Sequence, residues 1–143
     1  MSRVLVWLVE GTWTACVDAA RGLTPDAEFV LLHAVDPEVT EAVHGAYEGL
    51  LSRHGHDPAE LVEAASGPAE RELLEAAVAR LGRPARTAAL RGRVEHAVVA
   101  ACAPGDVLVC ARDGEPGHCG PASLGHHTRY VVDHAPCAVF LVR

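Results

Sequence analysis

The chain has 143 residues, half of them apolar, and a formal net charge of −7 when histidine is neutral. This length and apolar content predict one domain, residues 1–143, with a single core. The negative charge argues against a nucleic-acid partner, because a phosphate backbone attracts a basic surface. All 12 basic side chains other than histidine are arginine, which excludes Walker-type phosphate loops, Schiff bases and lysine general bases.

The cysteines and the first residues of the chain indicate the cellular compartment of the protein. The five cysteines form an odd number, contain no CxxC pair and lie mostly in apolar segments, so we expect reduced thiols in a cytoplasmic protein. The first apolar run lacks a basic cluster and a cleavage site, and it ends at Glu10. It therefore predicts neither a secretion signal nor a membrane span.

The first third of the chain alternates strands and helices. Residues 4–9 form a continuous apolar run, which is typical of a parallel strand covered on both faces. Thr12 is a predicted N-cap for a helix over residues 13–20, which ends before Gly22 and Pro25. Residues 28–35 predict a second strand. Asp36, Pro37 and Glu38 then give a strong helix start, and the apolar stripe of that helix runs over residues 39–50.

The middle of the chain continues this alternation. A second start signal at residues 57–60 predicts a short helix to about residue 65. Gly67 and Pro68 are predicted to begin a further helix, which ends before Gly82 and Pro84. Residues 86–90 predict a third strand, and residues 94–101 predict a helix that Pro104 and Gly105 terminate.

The last segment predicts a strand, a loop, a helix and a second strand. Residues 107–110 form a short apolar run, followed by a loop with four glycines within twelve residues. A helical pattern begins at Gly125, Pro136 stops it, and residues 138–142 form the final strand. In such a unit the loop amides and the first helical turn converge on one spot, where an anion such as phosphate is favoured.

This segment resembles the C-terminal signature of the universal stress protein family, in an actinobacterial-type form. The resemblance is carried by DVLVCARDG at residues 106–114 and GHHTRYVVDHAPCAVFLV at residues 125–142. In that family a glycine, two residues, a second glycine, nine residues and a glycine followed by Ser or Thr hold the ribose and phosphates of ATP.

The ATP motif in this chain is a variant of the family pattern. Ala111 stands in place of the first glycine, Gly114 matches the second, and ten residues precede Gly125. His126 replaces the hydroxyl residue, and Thr128 lies two places further on.

The first turn carries a second match. The family's V-D-G-S sequence lies beside the adenine, and VEGT occupies the same place here. The resemblance implies that one set of residues lies at the base and another at the ribose and phosphates. At the base these are Val9, Glu10, Gly11, Thr12 and Val35; at the ribose and phosphates they are Cys110, Ala111, Asp113, Gly114, Gly125, His126, His127 and Thr128.

The alternation of strands and helices predicts an α/β fold, a single doubly wound domain with a five-stranded parallel sheet and helices on both faces. The resemblance implies the strand order 3-2-1-4-5. Ligands of such sheets bind beyond the carboxyl ends of the strands, where the strand order reverses. With this order the reversal lies between strands one and four, at residues 10–12 and 111–125.

The resemblance implies a noncatalytic regulator that binds an adenine nucleotide. The ligand would be ATP with Mg²⁺, held with an affinity that the altered glycine motif weakens. The resemblance also implies a homodimer that forms through the C-terminal strand, where an apolar edge needs cover.

Three other functions remain open from the residues alone. The first is an interaction module without a small ligand. The second is a nucleotide hydrolase, with Asp113 and His126 or His127 as an acid–base pair; a serine hydrolase is excluded because Pro121 breaks the GxSxG motif. The third is a redox response of Cys119. The histidines and cysteines lack the spacing of a zinc site, so no metal ligands are predicted.

Overall fold

The computed structural model describes residues 2–38, 58–114, 117 and 119–143. Strands and helices alternate along these residues. The strands are β1 (Arg3–Trp7), β2 (Glu28–Val35), β3 (Ala85–Arg91), β4 (Val107–Ala111) and β5 (Ala138–Val142). The helices are α1 (Trp13–Arg21), α2 (Pro58–Leu81), α3 (Val94–Ala101) and α4 (His126–His134), and a short 3₁₀ helix spans Gly120–Ser123.

The five strands form one parallel sheet with the order β3-β2-β1-β4-β5. This confirms the predicted fold class and strand order. In the central strand, Leu5 lies opposite Val30 on one side and Leu108 on the other. The order reverses between β1 and β4, because the chain proceeds from β1 toward β3 and then returns past β1 to β4.

The core consists of two layers, one on each face of the sheet. Val4, Val6 and Leu8 pack with α1 and α2, whereas Leu5 and Trp7 pack with α3 and α4. All five side chains are at most 4 % exposed. Because both faces are covered, every position of β1 after Arg3 is apolar, and each buried side chain of this size contributes about 1.5–3 kcal/mol.

Helix α2 corrects the predicted boundary at Gly67 and Pro68. The two helices predicted on either side of this pair are one continuous helix, with Pro68 inside it. Proline removes one helical hydrogen bond and crowds the preceding turn, which made Gly67 and Pro68 a plausible start for a new helix. The helix nevertheless continues, because Leu73, Ala77 and Leu81 anchor it in the core after the proline.

The helix predicted over residues 39–50 lies outside the described residues, apart from its start. There, the Asp36 carboxylate accepts a hydrogen bond from the Glu38 amide at 2.8 Å. This is the contact expected of the predicted capping residue. Along the part of the chain that the structure describes, no helix is both long enough and apolar enough to cross a bilayer.

Candidate functional site

The carboxyl ends of β1 and β4 lie side by side at one edge of the sheet. The two strands pair in parallel, with Val6 opposite Val109. After β1 the chain enters α1, which covers one face of the sheet, whereas after β4 it enters α4, which covers the other face. The two connections therefore diverge and leave a crevice between them, which is where ligands bind in sheets of this kind.

The β1–α1 turn forms the first wall of this crevice. The carbonyl oxygen of Val9 accepts hydrogen bonds from the amides of Thr12 at 3.2 Å and Trp13 at 3.0 Å. Gly11 lies within this turn with a φ of +87°, a conformation that favours glycine. Glu10 and Gly11 are exposed, and Val9 is half-buried against the layer of α3 and α4.

Thr12 occupies the N-cap position of α1 but does not cap the helix as predicted. Its hydroxyl group makes no capping hydrogen bond and instead donates to the carbonyl oxygen of Val9 at 3.4 Å. The three donors on Val9 close the turn tightly, so this hydroxyl stabilises the turn and not the first amides of α1.

The exit from β4 forms the second wall. The Arg112 amide extends the pairing with β5 by donating to the Val142 carbonyl oxygen at 2.9 Å. The Gly125 amide then donates to the Arg112 carbonyl oxygen at 2.9 Å, and Asp113 forms an isolated antiparallel bridge with Leu124. The glycine-rich loop thus returns to its own starting point before α4 begins.

Two of the predicted ligand glycines are required by this return. A Cβ atom at Gly114 would lie 2.3 Å from the carbonyl group of Ser123, and one at Gly125 would lie 2.3 Å from the carbonyl oxygen of Asp113. Both distances are far inside van der Waals contact. Gly114 and Gly125 are therefore necessary for the loop to pack against itself, whether or not a ligand is bound.

Thr128 connects the first turn of α4 to the end of β4. Its side chain is 1 % exposed, and its hydroxyl group donates to the carbonyl oxygen of Ala111 at 3.2 Å. Ala111 is itself buried at 7 % exposure. The contact fixes the position of the α4 amino terminus relative to the sheet.

His127 joins α4 to α3. Its Nδ1 lies 2.7 Å from the carboxylate of Glu95, which is 4 % exposed and also lies 3.4 Å from the Arg93 guanidinium. Burial acts to raise the pKa of Glu95, but the hydrogen bonds from its own amide and from His127 outweigh it, so the pKa is lowered. Glu95 is therefore a buried carboxylate that keeps its charge, whereas His127 and the neighbouring His126 are both exposed.

The remaining predicted site residues lie deeper or further away. Cys110 is fully buried in the layer of α3 and α4, and burial raises the pKa of its thiol to about 12. Val35 ends β2 at the same edge of the sheet, where its carbonyl oxygen accepts a hydrogen bond from Gly92 at 3.2 Å. The structure thus brings the segments 9–12 and 111–128 to neighbouring strand ends, with Val35 one strand away.

Sequence reasoning missed a charged cluster at the carboxyl ends of β2 and β3. Glu70 of α2 is 8 % exposed, accepts hydrogen bonds from Arg91 at 2.8 and 3.2 Å, and contacts Nδ1 of His33. Burial acts to raise the pKa of Glu70, but these two partners outweigh it and lower the pKa. The available signal was His33 itself, because a polar side chain in an otherwise apolar strand needs a buried partner.

The electrostatics of the crevice combine a helix amino terminus with acidic side chains. The amides of His126, His127 and Thr128 belong to the first turn of α4, where no acceptor exists within the helix and the dipole favours an anion. Glu10 and Asp113 are exposed carboxylates at the same edge. The backbone amides can bind an anion. A cation placed between this anion and the two carboxylates would offset the repulsion between the negative charges.

Comparison with known proteins gives one family and one fold. Residues 14–143 match the profile of the Universal stress protein family. Among solved structures, the chain is similar to universal stress protein UspA from Lactobacillus plantarum, with 22% identity, a TM-score of 0.65 and coverage of 99% of this chain and 97% of that chain. A sequence comparison with curated proteins finds no significant match.

Two further solved structures share the fold. A protein of the universal stress protein family from Burkholderia pseudomallei has 22% identity and a TM-score of 0.59, with coverage of 99% of this chain and 95% of that chain. A universal stress protein in complex with cAMP has 15% identity and a TM-score of 0.62, with coverage of 99% and 96%. At these identities the structural similarity supports the fold alone.

Proposed function

We propose, from the premise that this chain belongs to the universal stress protein family, that it is a noncatalytic regulator which binds ATP with Mg²⁺. The ligand would occupy the crevice between β1 and β4. The observation that carries this proposal is the pairing of β1 with β4 at the reversal of strand order, which brings the Gly11 turn and the amino terminus of α4 to one edge.

The base would lie against the β1–α1 turn. Gly11 and Glu10 are exposed there, and a glycine with positive φ presents its backbone without a side chain in the way. The base contacts are assigned to the turn and to the end of β2. They are Val9, Glu10, Gly11, Thr12 and Val35.

The ribose and phosphates would lie along the second wall. The α4 amides at His126 and His127 would donate hydrogen bonds to phosphate oxygens, and Asp113 would face Mg²⁺ bound to those oxygens. Thr128 and Cys110 act through the backbone, because their side chains are buried at 1 % and 0 % exposure. Ala111, Gly114 and Gly125 complete the set.

This arrangement favours a weaker ATP site than the regular glycine motif provides. The space beside Gly114 and Gly125 is filled by the loop's own backbone. The Thr128 hydroxyl donates to Ala111, and the chain has no lysine to neutralise phosphate charge. Binding therefore depends on backbone amides, Mg²⁺ and the histidine pair.

Two alternatives give different outcomes in the same test. An interaction module would bind no nucleotide. Hydrolysis with Asp113 and His127 as an acid–base pair is disfavoured because the His127 imidazole contacts Glu95, and it would be seen as phosphate release from ATP that is lost in Asp113→Asn.

The edge strand β5 supports a homodimer. Within the described part of the chain, β5 pairs with β4 alone, and Phe140 and Leu141 are 42% and 37% exposed. An apolar edge strand is a template for pairing with another chain. A second copy would cover these side chains by an isologous contact.

The five cysteines are free thiols, which agrees with a cytoplasmic location, where disulfides are rare.

Nucleotide binding is tested on the purified protein. Mass spectrometry after denaturation identifies any retained nucleotide, and calorimetric titration with ATP and Mg²⁺, and separately with cAMP, measures affinity. We expect saturable binding of ATP. An absence of heat and of retained nucleotide at millimolar ATP would favour the interaction module.

A further inference from the structure

Two cysteines that are far apart in sequence meet at the amino edge of the sheet. Cys102 is the C-cap residue of α3, and Cys137 directly precedes β5. Neither belongs to the ATP crevice, which lies at the opposite edge.

The turn between α3 and β4 places the two residues together. The Asp106 amide donates to the Ala103 carbonyl oxygen at 3.1 Å, and the Ala103 amide donates to the Asp106 carboxylate at 2.7 Å. This closed turn leads directly into β4, where Val107 lies opposite Ala138 of β5. Cys102 and Cys137 therefore flank the amino ends of two paired strands.

Both side chains pack in the same core layer. Cys102 is 9 % exposed in the layer of α3 and α4, and the half-buried Cys137 packs against that layer. The Cys102 thiol donates to the Val98 carbonyl oxygen at 3.3 Å. After burial, the Cys137 thiol is the group that most raises the pKa of the Cys102 thiol. Cys102 and Cys137 thus share one core layer, and Cys137 is partly open to solvent.

We propose that Cys102 and Cys137 are a dithiol modification site that hydrogen peroxide converts into an intramolecular disulfide. In the first step the Cys137 sulfur attacks one peroxide oxygen, the O–O bond breaks, and water leaves with formation of a sulfenic acid. In the second step the Cys102 sulfur attacks the Cys137 sulfur, and the sulfenic oxygen leaves as water with the Cys102 proton. Overall, two thiols and one peroxide give one disulfide and two water molecules.

The surroundings of each thiol indicate which one peroxide oxidises first and which one then forms the disulfide. Cys137 is the more exposed thiol and meets peroxide first. Burial raises the pKa of the Cys102 thiol, and the neighbouring Cys137 raises it further, while the Arg3 guanidinium opposes this. Cys102 therefore stays protonated and inert until a sulfenic acid forms beside it.

The disulfide would close a loop that contains β4, the glycine-rich loop and α4. Closing a loop of this length restricts the unfolded chain and raises stability. It would also tie β5, the proposed dimer strand, to α3. This inference is independent of nucleotide binding, so it holds or fails without reference to the ATP site.

The test is peptide mapping of the folded, full chain after stoichiometric hydrogen peroxide, denaturation in an alkylating agent and tryptic digestion. Cleavage after arginine places Cys102 and Cys110 on the peptide 94–112, Cys119 on 113–129 and Cys137 on 130–143. We expect 94–112 to be linked to 130–143, and we expect reductant to separate them. The melting temperature should rise on oxidation and return on reduction.

Variants identify the sulfur atoms. Cys102→Ser, Cys102→Ala and Cys137→Ser should each abolish the link, whereas Cys110→Ser and Cys119→Ser should retain it. The proposal is overturned if peroxide leaves both peptides alkylated, if the link survives in Cys102→Ser, or if peroxide produces only intermolecular disulfides through Cys119. Alkylation of both peptides after peroxide is measured in the wild-type protein, so this outcome does not depend on whether a variant folds.

Discussion

Gly125 and Asp113 approach so closely that a methyl group on Gly125 would lie 2.3 Å from the Asp113 carbonyl oxygen. The glycine that begins α4 is therefore fixed by the residue that leaves β4. Loop packing alone requires glycine at this position. The presence of Gly125 is therefore not evidence that the protein binds a nucleotide.

Gly125→Ala is expected to destabilise the protein by about 1–3 kcal/mol, because backbone must move to admit the methyl group. Urea unfolding measures the loss. The matched control is Gly67→Ala within α2, where an added Cβ meets nothing within 4 Å and alanine should stabilise the helix by about 0.5–1 kcal/mol. Equal effects of the two substitutions would contradict the close approach.

His127→Ala is expected to reduce the free energy of unfolding by about 1 kcal/mol, because the buried Glu95 carboxylate loses a hydrogen bond. His126→Ala is the control, since His126 lies on the same turn and is exposed like His127, whose side chain is 52% exposed. Thermal melts of the two variants compare them directly. If His126→Ala is as destabilising as His127→Ala, the contact between α4 and α3 does not contribute as described.

The Arg3–Asp106 contact predicts how stability depends on pH. The Arg3 guanidinium donates two hydrogen bonds to Asp106 at 2.6 and 3.1 Å and, against the effect of burial, lowers the pKa of that carboxyl group. A pKa that is lower in the folded state gives stability above the unfolded pKa, and this stability is lost as pH falls through the folded pKa. Between roughly pH 5 and pH 2 the wild type should therefore lose more stability than Asp106→Asn.

The control for this prediction is the exposed pair of Asp18 and Arg80, whose side chains are 47% and 45% exposed. Solvent screens such a pair, so Asp18→Asn should change stability much less than Asp106→Asn. Chemical unfolding at several pH values measures both. Parallel pH profiles for the wild type and Asp106→Asn would refute the assignment.

Phe140→Asp is expected to dissociate the proposed homodimer, because it places a charge on the apolar edge strand β5. Sedimentation should show the mass falling by half. Ala89→Asp places the same charge at an exposed position of β3, the opposite edge of the sheet, and should leave the dimer intact. A wild type that is monomeric at every concentration would remove the dimer proposal.

The double substitution Ala111→Gly and His126→Ser should tighten ATP binding, because it restores the family's residues at two altered positions. The hydrogen bond from Thr128 is preserved, since it ends on the backbone oxygen of residue 111. Calorimetric titration measures the change. Unchanged affinity would identify the longer loop before Gly125 as the obstruction.

The sequence predicts the parts of this protein that depend on continuous local patterns. Strands covered on both faces need uninterrupted apolar runs, so β1 and β4 could be placed within two residues. The prediction at Pro68 is wrong because proline is typical of a helix start, whereas here packing after the proline keeps it inside one continuous helix.

The contacts that sequence reasoning missed join distant segments. Glu70 with His33 and Glu95 with His127 are contacts between side chains of different elements, and Cys102 and Cys137 share one core layer. No local periodicity encodes such pairs; they exist only once the strand order is fixed. His33 gave a partial signal, since a polar side chain within an apolar strand needs a partner.

Amide chemical-shift mapping during titration with ATP and Mg²⁺ shows both whether the nucleotide binds and where it binds. We expect shifts at residues 10–12 and 125–128, on the two walls of the β1/β4 crevice. Signals should stay unchanged at the opposite edge, where Leu23, Thr24 and Ala27 line a separate groove. No shifts at millimolar ATP, or shifts confined to that groove, would contradict the proposed ATP site.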